Sequence, residues 1–403
     1  MAERDTDRDP DPCEPPKDAA EMTGWVLKQA FQPPDAVEKP HGIEPEQVRD
    51  TRPEAFERRE PGRGRAAEKP SDIPARGWRD ILWRVLVAFF MDRVSFVAGG
   101  ITFFTLLALF PAIAAFVSLY GLFNDLTSVS NHLSVLYGVL PTPVADFLSA
   151  EVTRIAMSRP RDLGVTFVFS LLVALWSSNA SVKWLMYGLN VAYHETEKRN
   201  LLKYNLMASA FTVGALLFVM LITALVVAVP LAYSLIGYRP AFDLAFLRWP
   251  VLLAAYVVML TLLYRWGPCR SRARWRWLST GGIVAAVLNL AVSSVFSWWI
   301  SNMADFQATY GSLGAVMGFM FWTWISTMIV LFGAELNAEM EHQTAVDTTT
   351  GEEKPMGERG ALVADTVGPA GGGSGVVRAA GAVLKRRGKK ASGGPPGSGG
   401  GAS

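Results

Sequence analysis

Cysteine is nearly missing from this chain of 403 residues, which has only Cys13 and Cys269. One lies in the leading tail and one in a basic loop, so they offer neither a disulfide framework nor the spacing of a metal or redox site. Histidine is as sparse: His41, His132, His194 and His342 are scattered, with no HxH or HxxxH pattern. The paired imidazoles or converging carboxylates that a nuclease or metal hydrolase requires are not in view. No GxxxxGK[ST] loop occurs, which argues against ATP-driven transport by this chain alone. Charge is scarce too, at 18% of residues with a formal net charge of +2, so no global field points to nucleic acid. The first residues, MAERDTDRDPDP, are charged, and no signal peptide is expected. No catalytic residue, metal or cofactor is predicted.

What the chain has is hydrophobic length. Half of the residues are hydrophobic and mean hydropathy is +0.23, although two polar, Pro/Gly-rich tails dilute it. From Leu313 to Ala334 there is no charge, and at ~1.5 Å per residue that stretch makes roughly 33 Å of helix, enough to cross a bilayer. Five comparable blocks precede it. The sequence therefore predicts an all-α polytopic membrane bundle with six spans, at about 97–123, 163–193, 205–236, 246–266, 278–300 and 311–338. Residues 1–76 and 343–403 read as disordered cytoplasmic tails flanking a membrane domain over 77–342. Trp25, Leu27 and Phe31 in the first tail form a short apolar island that could dock on a protein partner or on lipid.

Trp78, Ile81, Leu82, Val85, Leu86 and Phe89 fall on one helical stripe, which predicts an interfacial helix before the first span. Between spans one and two, apolar residues at 3 and 4 spacing on both sides of Pro141-Thr142-Pro143 predict an outer amphipathic hairpin. Pro111 and Pro230 lie inside spans and predict kinks. Gly99 and Gly100 predict close backbone approach, and Gly311, Gly314 and Gly318 share one face of span six and predict a helix interface.

Lys and Arg set the orientation. Lys198, Arg199 and Lys203 follow span two, and Arg265, Arg270, Arg272, Arg274 and Arg276 follow span four, while the alternate connections are poor in both residues. Both ends are thus expected in the cytoplasm, with Arg154, Arg159 and Arg161 of the hairpin as exceptions. The run RWGPCRSRARWRW could in principle stack bases and hold phosphates. A basic loop with interfacial tryptophans facing anionic headgroups accounts for it equally, and is preferred. Membrane lipids are the expected partners, and a second copy of the chain is a further candidate.

Four local patterns resemble the YihY/BrkB family of bacterial inner-membrane proteins, once labelled ribonuclease BN-like. They are Gly99-Gly100-Ile101-Thr102-Phe103-Phe104 running into Leu109-Phe110-Pro111; Leu175-Trp176-Ser177 with Asn190-Val191-Ala192-Tyr193, Glu197 and Arg199; Tyr310-Gly311-Ser312-Leu313-Gly314; and Gly333-Ala334-Glu335-Leu336-Asn337-Ala338. The likeness covers roughly Trp78 to Glu341, and departs where Gly99-Gly100 replaces what are more often alanines. It implies a six-helix fold and a plasma-membrane address, and brings little settled biochemistry.

Two functional readings follow. Asn179, Lys183, Asn190, Asn289, Glu335 and Asn337 either line a cavity through which a solute or lipid moves, or only lock helices together in a scaffold. Lys183 and Glu335 lie at comparable depths near the inner boundary and are expected to form an ion pair.

Overall fold

The computed structural model describes residues 43, 45, 50–123, 140–157, 163–223, 248–302 and 313–370. Several expectations lie outside them: the Trp25 segment, the first helix of the outer hairpin, Pro230, Gly311, the far end of span three and the tail beyond residue 370. The described helices are α1 (Pro53–Arg59), α2 (Ala75–Met91), α3 (Val94–Phe123), α4 (Thr142–Met157), α5 (Leu163–Ala192), α6 (Leu201–Thr223), α7 (Arg248–Trp266), α8 (Trp275–Asn302), α9 (Gly314–Glu341) and α10 (Leu362–Asp365). Among the described residues β pairing is confined to two isolated bridges, Ile43 with Val367 and Ala273 with Thr349.

Five helices, α3, α5, α6, α8 and α9, are long and apolar enough to cross a membrane. The remaining predicted span, the fourth, is the shorter α7, apolar over Pro250–Trp266. The outward faces of the spans expose Phe103, Val168, Phe169, Leu172, Trp176, Leu216, Val295 and Trp298. In an integral membrane protein this is the surface that lipid covers. Helix α3 continues through Pro111, which has no N–H to offer the carbonyl four residues back.

Helix α9 is the hub, packed against α2, α3, α4, α5, α8 and α10. Its small residues make this possible. A Cβ on Gly333 would lie 2.5 Å from Tyr264 Oη, and one on Gly281 of α8 would lie 2.3 Å from the Gly333 carbonyl oxygen. The backbones of α8 and α9 therefore cross in direct contact there. The interface expected on this face is looser at Gly318, where a Cβ would meet only Ile300 Cδ1 at 3.6 Å. Gly100 does sit close to a neighbour, but to the ring of Trp184 rather than to a backbone, and Gly99 faces open space.

The tails depart most from expectation. Residues 50–76 and 343–370, read as disordered, fold back together over one end of the bundle. Arg65, fully buried, pairs with Glu60 at 2.6 Å and donates to the carbonyls of Gln343 and Gly368. Phe56, Ala345, Met356 and Val367 form a small core beneath them. A segment rich in polar residues and Pro can order when a few buried guanidinium groups satisfy its carbonyls, a feature that average composition does not register.

Candidate functional site

The capped end of the bundle is also its polar end, and α9 organises it. Its last two turns carry Glu335, Asn337, Glu339 and Glu341. At ~100° per residue, Glu335 and Glu339 share one face and Asn337 and Glu341 the opposite one. The structure uses both faces. On the first, Arg84 of α2 donates from Nε to the Glu339 carboxylate and from Nη2 to the Glu339 carbonyl at 3.1 Å. On the second, Asn337 accepts from Gly281 N at 2.8 Å and donates to the Leu278 carbonyl at 3.0 Å. One helical turn further on, Arg270 grips Glu341 through both nitrogens, at 2.6 and 3.1 Å, and lies 4.8 Å over the Tyr193 ring.

A second cluster ties the end of α5 to the α7–α8 loop. Asn190 donates to Glu197 at 3.0 Å and accepts from Cys269 N at 2.7 Å. Arg199 binds Glu197 twice at 2.6 Å and reaches the Gly267 carbonyl at 2.9 Å. Although burial works against ionisation, the Arg199 and Asn190 bonds hold the Glu197 carboxyl below its ordinary range. Glu195 shows the reverse balance: burial pushes it up, despite the bond it accepts from Leu362 N. Burial also pushes the His342 imidazole down, against the pull of Glu339 at 3.6 Å.

Glu335 stands apart. It is fully buried, and neither carboxylate oxygen receives an N–H or hydroxyl donor among the described residues. Its expected partner, Lys183, makes no ion pair with it. Gly188 of α5 meets Leu331 of α9, and Lys183, five positions earlier, is turned about 140° away from that contact. The charged groups acting on Glu335 are acidic: Asp92, at the end of α2, and Glu339, one turn further along α9. Asp92 ends α2 at the turn into α3, where Arg93 adopts a left-handed φ of 53°.

The other polar candidates bond helix to helix. Asn179 donates to Ser209 of α6 at 3.1 Å, Asn289 to Tyr256 of α7 at 2.8 Å, and Thr105 and Ser181 share a bond of 2.8 Å between α3 and α5. The basic loop is partly enclosed: Arg270 is buried on Glu341, and the Arg272 carbonyl accepts from Thr350 N, while Arg276 and the Arg272 side chain remain exposed. Nothing in the sequence marks Arg84, Asp92 and Gly281 as site residues. Arg84 and Asp92 lie on the polar stripe of an amphipathic helix, where charge ordinarily means solvent.

The family model described as Virulence factor BrkB matches residues 85–357, from within α2 through the six predicted spans and into the cap. The chain belongs to the BrkB family. Among BrkB-type relatives, a Bacillus subtilis protein named as ribonuclease-like, YfkH, is 26% identical over 248 residues, 60% of this chain and 88% of that protein. A UPF0761 membrane protein of Nitrosospira multiformis is 26% identical over 264 residues, 65% of this chain and 61% of its own length. One from Chlorobium phaeobacteroides is 28% identical over 280 residues, covering 67% and 58% respectively. The chain thus spans about three fifths of the length of these last two relatives. No solved structure matches. The residues forming the polar end, from Arg84's neighbour onward to Glu341 and Thr348, lie almost wholly within the BrkB match.

Proposed function

We propose that this BrkB-family membrane protein is transport-like, moving a solute or lipid, and that it sits in the plasma membrane with the capped end in the cytoplasm. The observation that carries this reading is Glu335, a fully buried acid on the hub helix with another acid as its neighbour. Such a group destabilises a passive bundle, and ionisable residues inside membranes mark ion or substrate pathways. The lysine and arginine bias of the loops supports the orientation. Exposed Arg272 and Arg276 suit anionic headgroups on that side.

A second reading, a non-catalytic scaffold, is favoured by one fact: Thr105, Ser181, Asn179 and Asn289 are engaged in bonds between helices. Aqueous reactivity separates the two. In a chain with Cys13 and Cys269 replaced by serine, Ser181→Cys should react with a small water-soluble thiol reagent, and the lipid-facing Val168→Cys should not. A pathway predicts that difference. If both are equally silent in native membranes, the scaffold stands.

A further inference from the structure

Of the five arginines around the α7–α8 loop, two have a carboxylate nearby: Arg270 pairs with Glu341 at 2.6 Å, and Arg274 lies 3.9 Å from Glu353. Arg265, Arg272 and Arg276 have no carboxylate partner among the described residues. For Arg272 and Arg276, both exposed, water is partner enough. Arg265 is different, because it is half-buried in the last turn of α7 and held in one orientation. Its guanidinium carbon sits 4.4 Å from the centre of the Trp275 ring and 5.9 Å from that of Trp266, and the two indoles meet edge to face at 5.8 Å. Nη1 donates to the Ala273 carbonyl, the one hydrogen bond of this guanidinium among the described residues, while Nε is buried without an acceptor. The charge that acts on Arg265 is a second cation, Arg272.

Stacking on an indole fixes the plane of a guanidinium and leaves its edge donors free, which is the geometry that takes two phosphate oxygens at once. The depth of the pair points to the source of the phosphate. Trp266 ends the apolar stretch of α7, and Trp275 begins that of α8. Indoles at span ends lie at the level of lipid headgroups. Below them, Val258 of α7 and Ile283 and Val287 of α8 are exposed and offer an apolar surface for acyl chains. We propose that Arg265, stacked on Trp275, binds the phosphate of one anionic phospholipid of the inner leaflet, with Arg272 supplying a second positive charge. The inference deepens the headgroup contact of the reading above by giving it a single built site, and it rests on that reading's placement of the loop at the inner leaflet.

The test is a lipid titration of the full chain in dodecylmaltoside, read by native mass spectrometry and by melting temperature. Phosphatidylglycerol should add as a discrete first equivalent and raise the melting temperature, whereas phosphatidylcholine or inorganic phosphate at the same concentration should do neither. Arg265→Gln and Trp275→Leu should each weaken that first equivalent about tenfold, the loss expected for a hydrogen bond to a charged group. Lys203→Gln, which removes an exposed cation outside the site, should leave it unchanged. Arg265→Lys keeps the charge but loses the plane, and should bind nearly as poorly as Arg265→Gln. Equal binding of the two lipids, or equal losses in Lys203→Gln and Arg265→Gln, would overturn the site in favour of diffuse attraction. Full binding by Arg265→Lys would overturn the stacked geometry, and a melting-temperature rise with inorganic phosphate alone would overturn the lipid as ligand. Should Arg265→Gln fail to fold, Trp275→Leu decides in its place. None of these outcomes alters the reactivity expected of Ser181→Cys, so the lipid site and the transport reading fail separately.

Discussion

Arg270 illustrates how far a residue's role is set by what it touches. In the sequence it is one of five arginines in a basic loop, interchangeable with Arg272 or Arg276. In the structure its side chain is 2% exposed and that of its partner Glu341 is fully buried. Removing one member of a buried pair strands the other charge and costs on the order of 3–5 kcal/mol. Arg270→Ala should therefore lower the melting temperature of the detergent-solubilised protein sharply, whereas the exposed Arg276→Ala should leave it within error. His342 supplies a pH test. Its ordinary value is 6.5 and burial lowers it in the folded state, so below 6.5 the unfolded chain binds a proton that the folded chain does not. Stability should decline as pH falls from about 7 toward about 5, and His342→Gln should remove that step. The depressed carboxyl of Glu197 stabilises the fold at pH above its ordinary value of 4.5, and that contribution is lost only as pH falls below it. Residue by residue, the sequence singles out Glu335, Asn337 and Asn190 as polar groups at span ends, and that is where the structure places them. It pairs Glu335 wrongly because rise along a helix fixes depth but not azimuth. Lys183 is at the right depth on the wrong side of α5.

At the scale of elements, periodicity and length make the spans legible, because an uncharged run of about 20 residues or more is rare outside membrane-crossing helices. Which helices touch most closely is less legible. Glycines are common in membrane helices, and spacing alone favours Gly314 and Gly318. The closest crossing is at Gly281 and Gly333, where backbone meets backbone. Only the place of Gly333 in a family-like pattern hints at it. Overpacking a tight contact costs roughly 1–3 kcal/mol, occasionally more. Gly281→Ala and Gly333→Ala should each reduce thermal stability by that order, and Gly318→Ala, which has room, should change little. Equal melting temperatures for all three variants would contradict the crossing.

At the scale of the whole molecule, the cap is what the sequence conceals. Arg65 and the Gln343 carbonyl are 278 positions apart, so no local window can see their bond. Composition over either segment alone reads as disorder, and order arises only when the two meet. The same contact bears on where topology is best probed. Ser271 N donates to the Gly360 carbonyl, so a cysteine there is shielded by the cap whichever side it faces. Asn200→Cys and Ala150→Cys are both at exposed positions and serve better. In intact cells an impermeant thiol reagent should label position 150 and spare position 200. Everything proposed for Glu335 requires that the cap keep bulk water from its end of α9, and amide hydrogen exchange of the full chain in nanodiscs tests that directly. The backbone N–H groups of Ala345, Thr350, Leu362 and Gly368 are each bonded across the cap, so peptides covering 343–350 and 361–368 should exchange slowly, on the timescale of the buried ends of α5 and α9. Complete exchange of those peptides at the earliest time point would contradict the cap, and with it the dry environment of the buried Glu335.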